Sequence, residues 1–448
     1  MINNKIIRLV GLVFLFLNTG CSDLLDEKSD TKLVVPETLK DNQALLDRIA
    51  NVLGSNSISG QISSDEIYIT DSDYNGVSYE ADKRLYTWQP NLVARATGND
   101  WGSCYFRINI CNTVLNNLEQ YEISNTENVK GQALAIRASI YLEAAQIWCV
   151  AFNKNTANTD LGLPLRLNPD VNQKSVRATL QETYQQILED LHIAVSLLPE
   201  KQIAVTRASK ATALGLLART YLYMGDYSNA LKYANEALAI NGQLLDFNTL
   251  ITSSSYPIKE MNIEVLLPTT IGYSPILSSN TAKIPLSLYQ SYDTNDLRKT
   301  AFFRTNASGQ ILFKGNYSGT SQRSSVLAKD ELYLIAAESY AQLNEVSNAM
   351  SKLNELLVKR WKTGTFIPFS ASTKEDALRI IKEERKKELL FRGLRWADIK
   401  RYNRDGDAIT LTRTIGGQTY TLPPNDPRYA IAIPEDIIKQ TGMPQNPR

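Results

Sequence analysis

Small and apolar residues recur along this chain at helical spacing, and the clearest stretch runs over residues 211–244. Taking Ala211 as the first position of a 34-residue, two-helix repeat puts Ala218, Tyr221 and Gly225 at positions 8, 11 and 15. Ala230, Ala234 and Ala237 then fall at 20, 24 and 27. These are the positions at which two antiparallel helices touch, and small side chains there let the backbones approach while Gly225-Asp226 turns the chain. A second unit opens near Asp330 and sets Ala337, Tyr340, Asn344, Ala349 and Leu353 in the same register. A third, split unit pairs a helix carrying Ala138 and Tyr141 with one from about Thr179 to Leu198.

Between these helices, residues 54–100, 152–175, 245–325 and 405–435 carry no helical period and are rich in Ser, Thr, Asn, Gly and Pro. Segments of that length exceed what a connector needs; in a folded domain they carry function or short strands of their own. The prediction is a mostly α fold of tetratricopeptide-like helical repeats, with long irregular insertions that form the binding face.

The N-terminus adds a destination. Lys5 and Arg8 precede an apolar run from Leu9 to Leu17, which ends in Asn18-Thr19-Gly20-Cys21. This reads as a signal peptide, since nine residues fall well short of the roughly 20 that span a bilayer. A small residue directly before Cys21 fits cleavage there with lipid attached to the thiol; a plain secretory signal is the alternative. On either reading the chain leaves the cytoplasm. Residues 1–20 are then the signal, and 21–448 one domain with an N-terminal part to 245 and a C-terminal part from 246.

Charge and composition narrow the chemistry. Without Lys5 and Arg8, 46 basic residues face 47 acidic ones, with no long run of one sign. Nucleic-acid binding is disfavoured, because it needs a basic patch that displaces phosphate counterions. His192 is the sole histidine, which rules out a multi-histidine zinc site, and it lies beside an apolar stripe as a helix-flank residue. Cys104 and Cys111 share a predicted helix about 10 Å apart, too far for a disulfide within it; they read with Cys149 as buried thiols. No metal site and no cofactor are expected.

Several motifs in order resemble the SusD/RagB family. Cys21-Ser22-Asp23-Leu24-Leu25-Asp26 is similar to its lipidated start, and Trp101, Tyr105, Ile108, Asn112 and Leu115 to its W-x3-Y-x2-I-x3-N-x2-L helix. Residues 217–227 resemble its central repeat. Residues 384–402, ERKKELLFRGLRWADIKRY, resemble its E-R-R-x-E-L-x-F-E-G-x-R-W-x-D-L-K-R-W signature. Ile433-Pro434, Glu435, Ile438 and Gln445-Asn446-Pro447 resemble its closing pattern. The resemblance implies a surface lipoprotein of the outer membrane that captures oligomeric nutrients, best known as glycans. It would deliver them as a lid to a SusC-like TonB-dependent transporter. The RagB branch implies oligopeptides instead, and neither branch implies catalysis.

Candidate ligand contacts come from two insertion clusters that mix rings with polar groups, as saccharide platforms do. The first is Asp71, Asp73, Tyr74, Tyr79 and Trp88; the second is Tyr273, Tyr289, Tyr292, Arg304 and Tyr317. Tyrosines outnumber phenylalanines 22 to 11, which suits half-wet surfaces but also repeat packing. Trp101, Asn112 and Trp396 read as structural, as does the helical pairing of Glu384 with Lys387 and Arg392. Two other classes compete. A pure repeat scaffold for protein partners would show uninterrupted units, and a glycoside hydrolase would need Asp65 and Glu66, or Asp71 and Asp73, set across a scissile bond.

Overall fold

The repeat spacing becomes helices where caps allow it. A computed structural model of the chain describes residues 35–48, 56–91, 93–95 and 98–448; Cys21 and the apolar run before it lie outside them. Nine helices of ten or more residues occur among the described residues. They are α1 (Asp100–Gln120), α2 (Glu127–Trp148), α3 (Leu180–Leu197), α4 (Lys210–Met224), α5 (Tyr227–Ile240), α6 (Lys329–Gln342), α7 (Val346–Leu357), α8 (Lys374–Glu388) and α9 (Arg395–Arg404). From α1 to α7 each packs on the next, α8 lies on α6 and α7, and α9 folds back onto α2 and α4.

Capping boxes at Thr179 with Glu182 and at Ser209 with Thr212 start α3 and α4 by satisfying free backbone N–H groups. Helix α4 stops at Gly225, whose φ of +79° is left-handed backbone that glycine adopts without strain. After α6 the same turn falls on Asn344, φ +65°, among the non-glycine residues that tolerate this region best. Ala218, Ala230, Ala234, Ala237, Ala337 and Ala349 are all buried, so the expected register holds in both units. The split unit forms as well, α2 against α3. Cys104, Cys111 and Cys149 are buried free thiols, and burial pushes the Cys149 thiol up to about 11.

The insertions carry short strands in pairs: β1 (Leu161–Pro164) with β2 (Arg177–Thr179), β3 (Val265–Leu267) with β6 (Leu327–Ala328), β4 (Phe303–Thr305) with β5 (Ile311–Phe313), and β7 (Leu411–Ile415) with β8 (Gln418–Leu422). Pairing β3 with β6 closes the long 245–325 insertion on itself just before α6. Gly416 and Gly417, both at positive φ, make the two-residue turn of the β7–β8 hairpin.

Helices α8 and α9 hold a buried ionic network. Arg298 reaches Asp296 at 2.7 Å, Glu384 at 2.6 Å and Glu388 at 3.0 Å; Arg360 reaches Glu388 at 2.7 Å and Glu264 at 2.8 Å. Lys387 pairs with Glu384 as its spacing predicts. Arg392 does not. It lies past the end of α8, where helical spacing no longer applies, and pairs with Asp330 at 3.0 Å. Trp396 is buried with its ring 4.8 Å from Tyr429, so it seals α9 against the segment that precedes the C-terminal helix.

Candidate functional site

The insertions at 54–100 and 245–325 are laced together. Asn56 and Ile271 form a backbone bridge, Tyr68 and Lys283 another, and Lys283 reaches across to the Asp73 carboxylate. Ser274 Oγ donates to the Asp82 carboxylate at 2.5 Å, and Arg95 Nε donates to it at 3.0 Å. Asp82 is fully buried, so its charge is compensated where it sits. From that anchor the Arg95 guanidinium lies 4.1 Å from the centre of the Tyr79 ring, and its Nη1 donates to the Tyr273 carbonyl at 3.0 Å.

Arg95 thus covers the ring of Tyr79, 42% exposed, and holds the backbone of Tyr273, whose side chain is 70% exposed. Beside them opens an apolar cleft lined by Leu85, Val93, Trp101, Trp148, Ile433 and Pro434. Trp148 stands edge-on to Trp101 at 5.0 Å. At its rim Asp100 accepts from the Ile58 and Ser59 amides at 3.2 and 2.9 Å, fixing the start of the short helix Ser59–Ser63. Exposed tyrosines, a guanidinium and an apolar wall are groups able to contact a ligand with one apolar and one hydroxyl-rich side.

The other candidates do different work. Asp71 accepts from the Gly416 amide at 2.9 Å and docks the β7–β8 hairpin. Asp73 caps the helix Asp71–Gly76 with Thr70; against the upward push of burial, Lys283 and Thr70 hold its carboxyl below the usual value. Tyr74 is half-buried, 6.3 Å from Tyr86. Tyr289 is half-buried, edge-on to Phe303 at 5.4 Å, and Arg304 donates to the Ser279 carbonyl at 3.0 Å and Asn280 Oδ1 at 2.8 Å.

Trp88, Tyr292 and Tyr317 are buried in this structure, with no ring face open to a ligand. Trp88 donates to the Ser63 carbonyl at 2.9 Å, Tyr292 to the Lys387 carbonyl at 2.8 Å and Tyr317 to Glu264 at 2.9 Å. An insertion of this length has a core of its own, and these rings fill it. Sequence reasoning missed Arg95, Asp82 and Ser274. Asp82 and Ser274 lie 192 residues apart, so no local spacing marks them.

The acidic pairs are also placed. Burial raises the Asp65 carboxyl, but Arg395 and Lys386 outweigh that and hold it well below the carboxylate range. Burial pushes Glu66 up to about 7, with Gln61 donating to it at 2.6 Å. His192 lies on the flank of α3, its Nε2 3.2 Å from the Tyr221 hydroxyl.

Residues 23–222 match a family model described as starch-binding associating with outer membrane, and residues 327–444 match the SusD family model. A SusD-like protein P2 of Formosa agariphila is 25% identical, covering 98% of this chain and 99% of its own. Among solved structures, a SusD superfamily protein of Bacteroides thetaiotaomicron superposes with a TM-score of 0.74 at 22% identity, over 92% of this chain and 100% of that one. A SusD-like carbohydrate binding protein of Bacteroides vulgatus gives 0.68 at 20% identity, over 90% and 97%. At those identities the structures show a shared fold, and with the two family matches in chain order the conclusion is direct: the chain belongs to the SusD/RagB family of nutrient-binding, outer-membrane-associated proteins.

Proposed function

We propose that this chain, as one domain lipidated at Cys21, captures an oligosaccharide at the cell surface. It then passes the ligand to a SusC-like TonB-dependent transporter, without cleaving it. The observation that carries the reading is the Tyr79–Arg95–Tyr273 group: two exposed tyrosines from separate insertions, one with its ring under the Arg95 guanidinium and the other held by it through the backbone, with Arg95 itself lining an apolar cleft. The family description of starch binding and the carbohydrate-binding relative support a glycan as the class of ligand. Asp82 and Asp100 are both occupied by hydrogen bonds that hold the fold, which supports binding without turnover. Palmitate labelling that ceases in Cys21→Ala tests the anchor.

Covering one sugar face removes roughly 60 Å² of apolar surface, about 1.5 kcal/mol at about 25 cal/mol per Å². Tyr273→Ala should therefore weaken the best ligand about tenfold by calorimetry across a panel of glycans and peptides, with an unchanged melting temperature. Undiminished affinity would move the site elsewhere. Peptide binding without glycan binding would favour the RagB-type role, binding of neither a protein scaffold, and cleavage of the ligand an enzyme.

A further inference from the structure

The apolar cleft that Arg95 lines is too small for the body of an oligosaccharide. Its volume is about 60 Å³. A water needs about 10–15 Å³ on this measure, so the space takes about four or five heavy atoms, fewer than a pyranose carries. What enters it is a substituent of the ligand.

The lining selects the chemistry of that substituent. Leu85, Trp101, Trp148, Ile433 and Pro434 form an apolar wall of buried residues. Trp101 packs on Trp148 at 5.0 Å and on Tyr105 at 4.7 Å between ring centres, so the wall is fixed by its own contacts.

The side-chain oxygens of the lining are already engaged. Asp82 accepts from Arg95 and Ser274, and Asp100 from the Ile58 and Ser59 amides. Asn99 Oδ1 accepts from the Gly102 amide at 2.8 Å, and Ser59 Oγ donates to Asp100. A ligand hydroxyl placed here gives up water without gaining a side-chain acceptor, which is unfavourable. Donors are a different matter. Arg95 has five N–H groups. Three are spent on Asp82 and the Tyr273 carbonyl, and the described residues supply no acceptor for the other two. Its side chain lines the cleft and keeps 12% of its exposure.

We infer that the cleft takes an acetyl group, carried as an ester on the captured glycan. The methyl covers the apolar wall, and the carbonyl oxygen accepts from Arg95. An ester has no N–H or O–H of its own, so it asks for no acceptor in return. A carboxylate would also accept from Arg95, but it would lie beside Asp82 and Asp100 and lose its water against the wall. This inference rests on the glycan-binding reading above and narrows its ligand to an O-acetylated glycan.

The test titrates the full mature chain by calorimetry with neutral xylan and mannan oligosaccharides, each in acetylated form and after alkaline de-esterification. In the tightest-binding pair, the acetylated form should bind about five- to tenfold more tightly. That is the factor for roughly 40–55 Å² of apolar surface at about 25 cal/mol per Å². Ala432 and Ala81 also line the cleft, so Ala432→Leu and, separately, Ala81→Leu should fill it and bring both forms to equal affinity. The melting curve identifies which variant has folded. Equal affinity of the two forms for the wild type overturns the acetyl assignment and leaves glycan capture standing. A preference that persists in the folded variants does the same. Binding of neither form in any pair overturns the glycan reading, and the acetyl assignment with it.

Discussion

The α4–α5 hairpin and the junction of the 245–325 insertion with α8 are both buried, and they are held by opposite means. In the hairpin, Ala218, Ala230, Ala234 and Ala237 present almost nothing but methyl groups, and the gain comes from close approach and apolar burial. At the junction, Arg298 and Arg360 are fully buried among Glu264, Asp296, Glu384 and Glu388. Removing such charges from water costs several kcal/mol each and is offset only when every partner is in place. The hairpin tolerates error locally; the junction is built to be complete or to fail. The difference teaches where this protein is sensitive.

The largest expected effect tests that completeness. Glu388 accepts from both Arg298 and Arg360, so Glu388→Ala leaves two guanidinium groups short of a partner in the interior. The expected loss is about 3–5 kcal/mol in urea unfolding. A loss below about 1 kcal/mol would mean that water reaches the network and that the contrast with the hairpin is false.

A buried carboxyl without its own counter-ion gives the next test. Glu66 is 1% exposed. Burial is the main force raising it from 4.5 to about 7, with Asp65 adding to that, while Gln61, Arg395 and Lys386 oppose it. The folded state therefore holds this proton more tightly than the unfolded chain. Its contribution is complete below about pH 4.5 and is lost as pH rises through about 7. At about 1.4 kcal/mol per pH unit of difference, Glu66→Gln should gain about 3 kcal/mol on the wild type between pH 4.5 and 8. Unfolding curves that stay parallel across that range would remove Glu66 from the account.

On the other side of the comparison, Ala218→Leu forces three more carbons into a contact with no exposed surface. Overpacking of this kind costs about 1–3 kcal/mol, read as a lower melting temperature. Ligand affinity should not change, because Ala218 is remote from the Tyr79–Arg95–Tyr273 group in the chain and belongs to the frame. An unchanged melt would mean that α4 and α5 separate easily and that the frame is looser than its spacing implies.

The same contrast decides what is legible in the sequence. The frame is, since its contacts recur every three or four residues and its turns fall on Gly225 and Asn344. The junction is not, because Arg298 finds Glu388 across 90 residues and Arg360 finds Glu264 across 96, where no period marks the pair. The candidate site lies between these cases. Tyr79 and Tyr273 stand out as rings in insertions, but so do Trp88, Tyr292 and Tyr317, and only three-dimensional packing separates a ring on the rim from one in an insertion's core. Arg95 carries no local mark at all; its role depends on Asp82 being buried beneath it.

The smallest expected effect separates ion-pair geometry from burial. Arg207 holds Asp47 through two bonds of 2.9 and 2.6 Å, a fork as well formed as any at the junction. Yet the two side chains keep 21% and 39% of their exposure. Water solvates both charges when the pair opens, and salt screens them when it is closed, so pairs of this kind contribute about 0–1 kcal/mol. Asp47→Asn should thus change stability by less than about 1 kcal/mol at low salt and by still less at 1 M salt. The loss on Glu388→Ala should barely respond to salt, because its partners are sealed from solvent. If the two variants lose comparable stability with the same salt dependence, then contact geometry governs these pairs, and burial does not set the junction apart from the rest of the molecule.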